Sequence, residues 1–307
     1  MSLHQASGTS SELHDAPRHA VGVADRAFTA PSVAFFRQRR LRRTLLYVLL
    51  IAIGIVMITP FVAMTLMSFR PSHVTSLRDI FFSSEFTLDN YRDNLSNGSM
   101  IRWIINSFIY AIVSVVLVLL LSASAGYAFA KKQFFGRDQI FWLFVTMLVV
   151  PAQVTLVPLF ILIVQLDGAN TYWGLIVPTL ANAQGVFLLR QFIMGIPDDL
   201  IEAAKLDGAS ELRVFWQIIL PLTTPVMATL GIFVFLWHWN DFLWPLIVAQ
   251  SNDMRTLTVG LATLQSLVPS TNSLMAAAAI SFVPSIIVFI FCQRYIVQSI
   301  SASGLKG

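Results

Sequence analysis

Apolar residues in this chain gather into six long runs, near residues 44–68, 104–130, 140–165, 173–195, 219–248 and 273–298, parted by shorter polar stretches. A bilayer core of roughly 30 Å is crossed by about 20 apolar residues in helical form, so each run is long enough. The pattern predicts an all-α polytopic membrane protein with six spans. Pro151, Pro158 and Pro178 interrupt the third and fourth runs. Proline removes a backbone donor and frees a carbonyl that neighbouring helices must satisfy, so bends buried in a bundle are expected there. A plain kink and a working hinge are equally good readings of these bends.

The polar stretches carry the orientation. Arg37, Arg39, Arg40, Arg42 and Arg43 precede the first run, and Lys131, Lys132 and Arg137 crowd the second connection. Arg190, Lys205 and Arg213 lie in or beside the fourth connection, whereas the third and fifth share only Arg255. In the first connection, 69–103, Arg70, Arg78, Arg92 and Arg102 are balanced by Asp79, Glu85, Asp89 and Asp93. Basic residues collect on the cytoplasmic side, so both termini and the fourth connection are expected to be cytoplasmic. Three regions are expected: a mostly disordered tail with a basic juxtamembrane end over 1–43, a membrane domain over 44–298, and a short C-terminal tail over 299–307.

Composition agrees with the pattern. Hydrophobic residues make up 56% of the 307 positions and charged residues 12%, against about 25% charged in an ordinary soluble domain. The single cysteine, Cys292, excludes an intrachain disulfide. His4, His14, His19, His73 and His238 have no ligand-like spacing, and no phosphate-binding loop of the G-x-x-x-x-G-K-[ST] type is present. Neither a metal site nor a nucleotide site is expected on this chain, and no nucleic-acid partner is called for. No internal repeat speaks for an inverted-repeat transporter.

The most informative polar stretch is Glu202 to Pro221, EAAKLDGASELRVFWQIILP. Pro197, Asp198 and Asp199 open a helix, since proline presets the backbone angle and acids favour its positive end. Gly208 permits a tight left-handed stop, and Ser210 can cap a second helix that continues into the fifth run. The expected product, over 197–217, is a short helix, a sharp turn and a rigid continuation into the membrane. On residues alone, a helical hairpin without a partner is as good a reading as a lever.

Glu202-Ala203-Ala204, Gly208, Ile218 and Leu220-Pro221 resemble the EAA signature of the membrane subunits of binding-protein-dependent ABC importers. FTLDNY at 86–91, GYAFAKKQFFGRD at 126–138, PAQVTLVPLF at 151–160, TYWGLIVPTLA at 171–181, WNDFLWPLIV at 239–248 and RTLTVGLATL at 255–264 are similar to carbohydrate permeases of the maltose-permease G-subunit type. The resemblance implies the type I importer permease architecture and a coupling helix that docks on a cytoplasmic ATPase. Glu202 would meet a basic residue there, Ala203 and Ala204 would permit close approach, Gly208 would make the turn, and Asp207 and Ser210 would support it. It also implies a second related permease, two ATP-binding subunits that hold ATP and Mg, and an extracytoplasmic sugar-binding protein. The chain itself would be no enzyme.

Candidate solute contacts are Asn182 and Gln184, which read equally as interhelical hydrogen-bond partners, and Asn240 and Asp241. Asp241 lies roughly 33 Å along a helix from Ile219, near the outer interface, where anchoring among Trp237, Trp239 and Trp244 competes with a gating role. The fifth connection, with Ser251, Asn252, Asp253, Ser270, Thr271 and Asn272, reads as a flexible polar loop or as a reach toward the binding protein. A sugar or oligosaccharide is the expected cargo; glycerol phosphate, another polar solute or an ion-coupled mechanism are the alternatives.

Overall fold

A computed structural model of the chain describes residues 33–96, 98–267 and 270–304. The tail over 1–32 and residues 305–307 lie outside the described residues, as do the side chains of Arg37, Arg39, Arg40 and Cys292. The chain divides into two units, Met1–Met57 and Ile58–Gly307. In the first, the described part is the helical stretch from Val33, which belongs to α1, Val33–Ser68.

Among its described residues the second unit has helices and no strand. Two short helices, α2 (Leu77–Phe82) and α3 (Asp89–Ser96), fill the connection that the sequence left without elements. The long helix α4 (Gly98–Lys131) follows. The third run is a broken pair, α5 (Arg137–Met147) and α6 (Ala152–Gln165), bent by 102° with Pro151 at the corner. The fourth is α7 (Tyr172–Ile176), a 3-10 turn over Val177–Thr179 and α8 (Ala183–Met194), bent by 46° just after Pro178. Pro158, by contrast, sits inside α6.

Helix α9 (Asp198–Leu206) and the four-residue α10 (Glu211–Val214) make up the fourth connection. A π-helical turn over Phe215–Ile219 joins α10 to α11 (Leu220–Asn240). Then come α12 (Leu243–Val248), α13 (Leu257–Leu267) and α14 (Thr271–Gly304). Among the described residues four helices are long and apolar enough to span a membrane, and up to six spans result if each bent pair counts as one.

Two expectations need correction. The fifth run does not continue to residue 248: Asp241 takes an extended backbone, φ −65° and ψ 131°, and ends α11. Nor is the fifth connection a free loop. Trp103 donates to the Asn252 carbonyl at 3.0 Å, and Asn106 donates to the carbonyls of Asp253 and Arg255 at 2.8 and 2.9 Å. Asn272 is fully buried and donates to the carbonyls of Arg70, Pro71 and Val74, stitching the start of α14 to the first connection. Buried N–H donors satisfied in this way fix a segment, since leaving them unmet would cost about 1–3 kcal/mol each.

The packing that matters for the fourth connection starts at the α4–α8 contact. Small residues let the two backbones approach, as membrane helices require when lipid offers no hydrophobic contrast. A Cβ on Gly126 would come within 3.0 Å of the Arg190 backbone nitrogen, and one on Gly185 within 2.7 Å of Ser122 Oγ. From there one apolar cluster runs continuously from Val118, Ala123 and Tyr127 of α4, through Leu189 and Ile193 of α8, to Ile201 of α9 and Val214 and Phe215.

Candidate functional site: the α9 elbow

Helix α9 is amphipathic in the plainest sense. Ile201 points into the cluster and is 6% exposed, with Ala204 half-buried beside it. Glu202, Ala203, Lys205, Leu206 and Asp207 lie on exposed positions, and Leu206 is 89% exposed. A helix end that leaves a leucine bare, next to two alanines, offers a smooth apolar surface rimmed by the carboxylates of Glu202 and Asp207.

The helix begins at Asp198, one residue later than the sequence places it: Pro197 is the N-cap, while Asp198 and Asp199 fill the first turn. Its far end is closed by backbone bonds from Asp207 N to Ala203 O and from Ala209 N to Ala204 O. Gly208 has φ +80°, with open space where a Cβ would stand. That conformation clashes with a side chain through the local backbone alone, which is why glycine occupies it. Ser210 caps α10, its Oγ accepting from the Arg213 amide at 3.4 Å.

Residues to which the sequence assigned no part in the elbow, Lys131, Lys132, Tyr127 and Glu211, hold it in place. Lys131, at the end of α4, has a side chain only 8% exposed and donates to the Ile196 carbonyl at 2.6 Å and to Asp198 Oδ1 at 2.7 Å. Glu211 sits on the other side of the turn. Its Oε1 pairs with Lys205 Nζ at 2.9 Å, and its Oε2 accepts from Lys132 Nζ and, at 3.2 Å, from the Tyr127 hydroxyl. Burial alone would lower the Lys132 pKa, but the hydrogen bonds with Glu211 and Tyr127 outweigh it and hold the ammonium above its ordinary value. The pair is therefore charged across the neutral range. In the sequence the basic doublet Lys131-Lys132 served the orientation and, with Tyr127, the family resemblance, and nothing there joined it to Glu211.

The candidate solute residues fall elsewhere and do not converge. Asn182 is the N-cap of α8, its Oδ1 accepting from the Gly185 amide at 2.6 Å, and Gln184 is exposed. Asn240 is exposed and bonds to the Leu236 carbonyl within its own helix. Asp241 accepts from the Tyr110 hydroxyl at 2.9 Å, and its carbonyl accepts from Thr258. Close by, His238 is buried, with Nε2 3.0 Å from Thr179 Oγ1. Two apolar grooves of about 470 and 450 Å³ lie between α14 and the Ile58–Phe69 stretch, and none of these four residues lines them. Among the described residues no group of three or more His, Cys, Asp or Glu could hold a metal ion.

The family of binding-protein-dependent transport system inner membrane components matches residues 122–302. The chain belongs to this family. Within it, the arabinooligosaccharides transport system permease protein AraQ of Halalkalibacterium halodurans is 40% identical over 262 residues, covering 83% of this chain and 93% of its own length. The osmoprotective compounds uptake permease protein GgtD of Synechocystis is 38% identical, covering 73% and 76%. The sn-glycerol-3-phosphate transport system permease protein UgpE of Yersinia pestis is 34% identical, covering 64% and 71%. A chain of a bacterial ABC transporter involved in import of the acidic polysaccharide alginate superposes with a TM-score of 0.76 at 22% identity, over 84% of this chain and 98% of that one. At that identity the match shows a shared fold. As a family member with several membrane-length helices, the chain is a multi-pass inner-membrane permease component.

Proposed function

We propose that this chain is one of two permease subunits in an ATP-driven importer, and that α9 is the helix through which a separate cytoplasmic ATPase moves it. The observation that carries the reading is the elbow: an outward face of Glu202, Ala203 and Leu206, a Gly208 turn, and an unbroken helical path from Glu211 to Asn240. Ala203 and Ala204 permit close approach, Glu202 supplies a charge for a basic partner, and Asp207 and Ser210 shape the turn. ATP and Mg belong to the ATPase subunits, and this chain contributes no catalytic group. The basic residues before α1, at the end of α4 and around α9 support a cytoplasmic position for both termini and for α9. The division into a tail over 1–43, a membrane domain over 44–298 and a short end over 299–307 follows the same charges.

The cargo is a sugar or oligosaccharide handed over by an extracytoplasmic binding protein, as the name of the most identical relative given above supports. Glycerol phosphate or an osmoprotective solute is the second reading, supported by the names of two other relatives. Asn182, Gln184, Asn240 and Asp241 are kept as pathway candidates, with a second permease completing the route. The direct test is Glu202→Lys: we expect normal membrane levels, loss of ATPase co-purification and at least about a tenfold loss of uptake, the scale of one broken interfacial charge pair. Unchanged co-purification and uptake would refute the docking role. Which solute-loaded binding protein stimulates ATP hydrolysis by the purified assembly decides between the two cargoes.

A further inference from the structure

We propose that Glu211 is a positioning residue that makes α4 and α9 move as one body, so that a push on α9 reaches two membrane helices and not only the one it continues into. The covalent path from α9 leads through the glycine turn at Gly208 and then through a π-helical turn before α11 begins. A force carried by the backbone alone would be partly absorbed there. Glu211 bypasses both. Its two carboxylate oxygens take different partners: Oε1 takes Lys205 from the last turn of α9, and Oε2 takes Lys132 from just beyond α4. The Tyr127 hydroxyl adds a third donor from α4, and Lys132 Nζ stands 4.8 Å from the centre of the Tyr127 ring. Lys205–Glu211–Lys132 is thus a polar strap across the turn.

An isolated pair at this exposure would be weak, since side chains of Lys132 and Glu211 are 29% and 54% exposed. The strap is not isolated. Beneath it, Tyr127 and Phe215 rings lie 5.9 Å apart, and Ile201 and Val214 share their cluster. At the opposite end of α9, the Lys131 ammonium grips Ile196 and Asp198. The end of α4 therefore holds α9 at its first turn and, through Glu211, at its last. The apolar contact keeps the two helices adjacent, and the charges fix their register.

This inference rests on α9 being the ATPase-docking helix, and its test keeps the two apart. Spin labels on cysteines placed at the exposed positions Asp199 of α9 and Ser124 of α4 report their separation in the full assembly, without nucleotide and with ATP trapped by vanadate. We expect the native distance to stay constant between the two states. With Glu211→Gln, the ATPase should still co-purify, and the distance should shift with nucleotide by about 2 Å, the scale of helix displacements at switching interfaces. Lys132→Gln should give the same shift, and the double variant no more than either alone, because both remove one link. A distance that already changes in the native assembly, one that stays constant in Glu211→Gln, or additive single effects would overturn the strap. Failure of the native chain to bind the ATPase would instead overturn the docking reading.

Discussion

Gly208 shows how much of the elbow rests on a single residue. Its φ of +80° is strained for any L side chain, yet the space around it is open. The penalty of substitution is therefore purely conformational. Gly208→Val should cost about 1–2 kcal/mol locally and shift the axis of α9, whereas Gly208→Asn, which tolerates this region, should cost much less. Comparing uptake and ATPase co-purification in the two variants checks this: equal loss in both would mean that size, not backbone conformation, is what the site rejects. The turn was readable in the sequence because glycine and the serine cap are local signals. Glu211 was not, because its meaning lies in Lys132 and Tyr127, separated from it by 79 and 84 residues. Asn272 was misread for the same reason. An asparagine in a polar stretch looks like loop until the three carbonyls around it are seen.

At the scale of elements, hydrophobic run length located the spans and proline located two of their breaks, because both act within a few residues. The end of α11 at Asp241 escaped that logic, since the flanking residues stay apolar and only tertiary partners, Tyr110 and Thr258, anchor the extended backbone. Helices α2, α3 and α13 were missed because they are short and not uniformly apolar, and because contacts with their neighbours stabilise them. The α4–α8 seam gives a prediction of its own. A side chain at Gly126 would press on backbone and on Leu189 Cβ at 3.0–3.2 Å, where nothing can rotate away. Gly126→Val should therefore destabilise the fold by about 1–3 kcal/mol, read as a lower midpoint in thermal unfolding of detergent-purified protein. A midpoint equal to the native one would show that the two helices can part freely.

At the scale of the whole molecule, family membership and the run of apolar helices establish a multi-pass permease component, while the proposed sidedness rests on charge alone. An impermeant thiol reagent tests it: a cysteine at Asp199 should be labelled from the cytosolic face of oriented vesicles and one at Asp253 from the other, and the reverse pattern would invert the whole arrangement. The corner between α5 and α6 has a consequence of another kind. Pro151, Ala152 and Gln153 are exposed there, and they form the start of a helix turned by 102° from its predecessor. The first amides of any helix lack partners within it, and hydrocarbon supplies none, at several kcal/mol for each group left unmet. Annular lipid is thus a poor neighbour for that edge. In the proposed assembly that edge is expected to abut polypeptide or a wetted passage, so this flank of the bundle is where the proposed second permease would stand.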